Sequence, residues 1–149
     1  MASSWYNRGV YSILSGNINL NSNTIKVMLV TSAYTFDPDH NFVSNVNSFE
    51  LTVGGYTGGF GGAGRKTLSN KEFTENDTDD LAYFDDTADL TWTSLATGET
   101  IGGAILIKEV TNDGDSPIIA FMDLTNTPTN GGNITVAWSA DGILQLVVV

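Results

Sequence analysis

The chain contains no cysteine among its 149 residues. That excludes a disulfide scaffold and any thiolate metal centre. A chain of this size needs no such staple, because it can bury about two-thirds of its unfolded surface. Histidine occurs once, at His40. A three-histidine metal site is therefore impossible, and a Ser-His-Asp triad would have to be built on that one residue without a G-x-S-x-G elbow. Charged residues make up only 15% of the chain, where about a quarter is usual. Apolar runs stop far short of the roughly 20 residues that a membrane helix needs. The opening Met1-Ala2-Ser3-Ser4-Trp5 has no basic region followed by an apolar core, so no signal peptide is expected. Long amphipathic helices and internal repeats are also missing.

The little charge present is one-sided. Asp and Glu number 17 against 6 Lys and Arg, a net charge of -11. Such a surface repels phosphate backbones, which argues against nucleic acid as a partner, and it favours a basic partner surface.

Strand signals fill most of the remainder. Asn23–Thr35 opens on turn formers and continues into Ile25, Val27 and Leu29 alternating with Lys26, Met28 and Val30. It is the strongest strand in the chain, with its second face half exposed where Lys26 begins it. Phe42, Val43, Val46 and Phe49 recur at near-helical spacing and predict a short helical turn, after a turn fixed by Pro38. Further strands are expected at Lys66–Thr74 and Leu81–Asp85 around an Asn76-Asp77 turn, and over Asp89–Thr93. Ile101–Val110 and Ile118–Leu124 follow, flanking Asn112-Asp113-Gly114-Asp115. The last two are Ile134–Trp138 and Ile143–Val149, joined as a hairpin by Ala140-Asp141-Gly142. Strands at about ten-residue spacing predict one all-β domain over residues 1–149, an antiparallel β-sandwich of jelly-roll or Ig-like size. Tyr6, Val10, Ile13 and Leu14 share a helical face, so residues 1–16 are expected to form a short N-terminal helix or arm. Ser3 or Ser4 would cap it and Gly16 would end it, and Gly9 weakens it by about 1 kcal/mol. This segment would either cover an open end of the sheets or dock on a neighbouring subunit with Trp5 as an exposed anchor.

Two stretches invite a chemical reading. Gly54–Gly64 is glycine-rich but lacks the G-x-x-x-x-G-K-[ST] spacing and a following helix, so a flexible loop carrying Tyr56 and Phe60 is expected. Carboxylates crowd Glu72 to Asp89, which suggests calcium. Asp77-Thr78-Asp79-Asp80-Leu81 has neither the loop glycine nor the distal glutamate, and solvated turn carboxylates are expected instead. No acid pair stands out for glycoside hydrolysis. The chain therefore reads as non-enzymatic, with no catalytic residue, cofactor or metal.

Several segments occur together in one order. Asn19-Leu20 with Thr24–Thr35, and Gly55-Tyr56-Thr57, precede Leu68-Ser69-Asn70-Lys71. Phe84-Asp85-Asp86 leads to Leu90-Thr91-Trp92, then Gly102–Lys108, Ile119–Leu124 and Trp138–Leu144. That order resembles a group of small structural proteins of tailed-bacteriophage virions, some of them similar to capsid decoration (cement) proteins, from about Tyr6 to Leu146. The glycine-rich insert Phe60–Ala63 is longer than the link usual in that group. The resemblance implies a protein made in the bacterial cytoplasm and carried on the capsid exterior. Its partners would be the major capsid protein and itself, as a homo-dimer or homo-trimer. Trp5, Tyr6, Tyr56 and Phe60 are the candidate partner contacts. The alternative is a tail or fibre component binding host glycan through Tyr34, Phe36, Tyr56 and Phe60.

Overall fold

A computed structural model describes residues 3–148. In chain order it contains β1 (Ser3–Trp5), α1 (Asn7–Leu14), β2 (Lys26–Thr31), β3 (Lys66–Thr67), β4 (Lys71–Asn76) and β5 (Leu81–Asp86). There follow β6 (Leu90–Trp92), β7 (Thr100–Ile107), β8 (Ile118–Pro128), β9 (Ile134–Val136) and β10 (Leu144–Val147). All strand pairs are antiparallel, and the fold is all-β and sandwich-like with one short N-terminal helix.

The largest sheet has the order β1-β8-β7-β2-β3. Leu29 stands opposite Ala104 and Val27 opposite Leu106. Ala104 and Leu106 in turn face Met122 and Ala120. Period-2 alternation puts these six side chains on one face. Met28, Val30, Ile105, Ile107 and Phe121 line the opposite face, and both sets are buried. The sheet β10-β5-β4 and the pair β6-β9 cover the first face with Phe84, Leu144, Trp92 and Val136. The second face is covered by the irregular chain after β2, through Tyr34, Phe36, Val43, Val46 and Phe49, together with Tyr6. The near-helical spacing there resolves into two 3₁₀ turns, Val43–Asn45 and Asn47–Phe49. The second face of β2 is thus half exposed only at Lys26, while Met28 and Val30 are fully buried.

Other expectations need correction. Ser3 and Ser4 lie in β1 and do not cap the helix. Tyr6 occupies the cap position, and the orphan N–H of Asn7 donates to the Pro38 carbonyl at 3.0 Å. The helix buries Gly9 and Ser12, whereas Val10 and Leu14 of the expected apolar face are exposed. Packing against the β8 backbone selects the smallest side chain, not the most apolar face. Gly16 does end the helix, at φ +75° with its N–H on the Ile13 carbonyl. The expected strand Lys66–Thr74 is two strands in different sheets, broken where the Leu68 N–H bonds the Ile25 carbonyl and the Asn70 N–H bonds Asp86. Ala140-Asp141-Gly142 turns the chain but closes no hairpin, since β9 pairs with β6 and β10 with β5.

Gly9 separates propensity from packing. An alanine there gains about 1 kcal/mol of intrinsic helix propensity. Its Cβ, however, would stand 2.3 Å from the Ile119 carbonyl oxygen, a backbone atom that cannot rotate away. Overpacking of this kind costs about 1–3 kcal/mol and more when backbone must move. Gly9→Ala is expected to lower the urea midpoint, and a variant as stable as the parent would show that α1 can lift off β8 freely.

Candidate interaction site

The four candidate contact residues do not form one surface. Trp5 is half-buried in β1, with its indole N–H on the Gln145 carbonyl at 3.4 Å and its ring against the first core. Tyr6 is fully buried in the second core. Its hydroxyl shares a 2.8 Å hydrogen bond with that of Tyr34, and its ring lies 5.1 Å from Phe36. Burial first, and then the Tyr34 contact, pushes the Tyr6 phenol well above its ordinary pKa. Tyr56 is also buried, accepting the Leu29 N–H at 3.1 Å and donating to Glu50 at 3.1 Å. A tyrosine fits a core when its hydroxyl finds a partner. Both therefore lie out of a partner's reach. Phe60 is the most exposed of the four, with 46% of its surface accessible, and Trp5 keeps partial exposure. Tyr34 and Phe36 belong to the second core, so Phe60 is also the single exposed member of the proposed sugar-stacking set.

The glycine-rich stretch is pinned. Arg65, with no side-chain exposure, donates to Glu50 at 2.9 and 2.7 Å, to Asp113 at 2.7 and 3.1 Å, and to Glu109 at 3.1 Å. Glu109 also pairs with Lys26. The carboxylates in turn accept loop amides, Gly59 N–H on Glu50 and Gly61 N–H on Glu109, each at 3.0 Å. Trp92 completes the anchorage by donating its indole N–H to the Gly64 carbonyl. Two of the loop's amides thus face inward onto this network.

His40 is hydrogen-bonded into the fold while part of its ring stays exposed. Its Nδ1 shares a 3.1 Å hydrogen bond with Tyr34, and its Nε2 lies 3.9 Å from Asp37. The Tyr6–Tyr34–His40 chain thereby fastens the start of α1 to the Asp37–His40 turn.

The acidic hairpin β4–β5 forms as expected, with the Asn76 side chain accepting the Thr78 and Asp79 amides at its tip. Asp86 is buried and accepts the Asn70 and Ala88 amides. Burial, and then Asp86, Glu72 and Asp89, raises the Asp85 carboxyl above its ordinary pKa. Among the described residues no three His, Asp or Glu side chains are grouped to hold a metal ion.

The feature that sequence reasoning missed lies on the inner face of this hairpin. Phe73 stands opposite Phe84, with ring centroids 5.2 Å apart. Leu144 also faces Phe84, and Leu146 faces Ala82. These side chains share one face of the smaller sheet. Phe84 and Leu144 reach the core, but Phe73 and Leu146 overhang it, 48% and 63% exposed. Trp5, Ile13 and Leu20 form the opposite wall of the resulting apolar groove, whose volume is about 560 Å³. Leu14, Val147 and Val148 are further exposed apolar residues of the helix end and the last strand. The only signals in the sequence were an aromatic inside an acidic strand and the Leu144/Leu146 alternation.

The Arg65 network makes two linked stability effects measurable. Hydrogen bonds from Arg65 hold Asp113 below its ordinary pKa against burial. Burial raises Glu109, but Lys26, Gly61 and Arg65 outweigh it and leave that group lowered too. Depressed carboxylates stabilise the fold above the unfolded-state pKa of about 4 and lose that contribution as pH falls below it. Urea stability is expected to drop from pH 5 toward pH 2, more steeply than in Asp113→Asn. Arg65→Ala strands buried Glu50 and is expected to cost about 3–5 kcal/mol at neutral pH. A loss under about 1 kcal/mol would contradict the anchoring role.

No protein-family model, no curated protein and no solved structure matches this chain.

Proposed function

We propose that this protein is a non-enzymatic virion structural protein, a capsid decoration (cement) protein that binds the outside of the major capsid protein shell. The reading rests on the resemblance of its ordered segments to small tailed-phage structural proteins. The observation in the fold that supports it most is the apolar groove at the open end of the sandwich, between α1 and the β4-β5-β10 sheet. An assembly protein needs a docking surface, and exposed contiguous apolar area is what such surfaces are built from. A decoration protein works as a homo-oligomer through many repeated contacts on one shell. It is made in the bacterial cytoplasm and ends on the capsid exterior. A glycan-binding tail component is the weaker reading, because three of its four stacking aromatics are committed to packing.

Co-sedimentation with capsid shells lacking the protein tests the proposal. Saturable binding at a fixed ratio per capsid subunit is expected, weakened by Phe73→Ser combined with Leu146→Ser. No binding to shells by the folded protein would overturn the cement reading.

A further inference from the structure

We propose that the apolar groove between α1 and β4-β5-β10 takes a cationic amphipathic helix from its partner. The inference rests on the assembly reading above and supplies the chemistry of the contact.

Three observations carry it. The first is shape. The floor of the groove consists of side chains from the inner face of the smaller sheet, with Phe73 and Leu146 overhanging and Ile13 of α1 on the opposite wall. A floor of side chains matches the apolar stripe of a helix laid along it, whereas a strand added at the open edge of β4 or β10 would leave that floor uncovered.

The second is charge. Between Lys71 and Asp86 the hairpin carries seven carboxylates, all but the buried Asp86 at least partly exposed, and a single lysine. That lysine, bonding the carbonyls of Leu20, Asn21 and Asn23 at 2.6–2.9 Å, offsets only one of them. The remaining cations are committed elsewhere. Lys26 and Arg65 sit in the buried network, and Lys108 bonds the Asn17 carbonyl. Arg8 lies over Tyr11 and Phe42, and Lys66 over Trp92. Glu75 lines the groove itself. An apolar floor with Glu75 in its lining and the exposed carboxylates of the hairpin beyond it selects apolar residues flanked by Lys or Arg.

The third bears on a second copy as the occupant. A two-fold contact through this face would set the two acidic hairpins against each other. Like charges juxtaposed across an interface disfavour that pairing.

The test uses the full-length protein and an amphipathic helical peptide of about 18 leucines and lysines. A control peptide keeps the leucines and replaces every lysine with glutamate. Binding is read by ¹H–¹⁵N chemical shifts and by anisotropy of the labelled peptide. The lysine peptide is expected to bind with shifts clustered on β4, β10 and Ile13, and the glutamate peptide not to bind. Phe73→Ser combined with Leu146→Ser changes exposed residues and is expected to weaken binding about tenfold or more. Glu75→Gln is expected to weaken it and to flatten its salt dependence. Equal binding by the serine variant would overturn the inference by reducing it to bulk charge. Shifts mapping elsewhere, or equal binding of the glutamate peptide, would do the same. So would dimerisation through Phe73 and Leu146 in sedimentation velocity, or occupation of the groove by octanoate when the peptide does not bind. Shell binding without peptide binding defeats this inference alone, whereas peptide binding without shell binding defeats the cement reading alone.

Discussion

The central strands β2, β7 and β8 are apolar on both faces, and the rest of the molecule is arranged to keep both faces dry. A strand buried on one side only needs one cover, and here two are required. Sheet β10-β5-β4 and the β6-β9 pair supply the first. The 3₁₀ turns and aromatics that follow β2 supply the second. Close approach of these layers leaves no room for side chains at certain points. A Cβ at Gly9 would strike β8, and one at Gly103 would meet the Phe121 ring at 2.3 Å.

Irregular covers need fastening, because they lack ladders of their own. Buried polar groups provide it here. Arg65 binds three carboxylates, of which Glu50 and Glu109 also accept loop amides and Asp113 the Asn47 side-chain amide, so the whole cluster is satisfied. Breaking such a cluster costs much more than forming it contributes, since each stranded charge would remain buried. On the other face the Tyr6–Tyr34–His40 chain has a similar fastening part without formal charge. Both loop regions are therefore held against the body. The smaller sheet extends beyond what the larger one can cover, and there apolar side chains remain open to solvent. The apolar groove between α1 and the smaller sheet follows from this incomplete cover.

Much of the strand framework was legible because its signals are local. The β2 alternation, the Asn76 turn and the Gly16 helix end each depend on neighbours within a few residues. What was illegible depended on distant partners. Nothing beside Arg65 in the sequence marks it, because its carboxylates lie 15, 44 and 48 residues away. Tyr6 and Tyr56 read as surface aromatics because their hydroxyl partners belong to other segments. Gly9 reads as a helix defect until β8 is laid beside it. Phe73 reads as one face of a solvated strand, and only the pairing of β5 with both β4 and β10 assembles a groove from it. The break within Lys66–Thr74 was hidden for a related reason, since its two halves serve different sheets with one continuous alternation.

Hydrogen–deuterium exchange of the protein bound to capsid shells tests the central claim most directly, because it locates the contact without any substitution. The open end of the sandwich should be the face that closes on binding. Amides of β4, β10 and the last turn of α1 are expected to slow on the shell, while those of Gly59 and Gly61 keep their free-state rates. Protection centred on the loop around Phe60, with β4 and β10 unchanged, would contradict it.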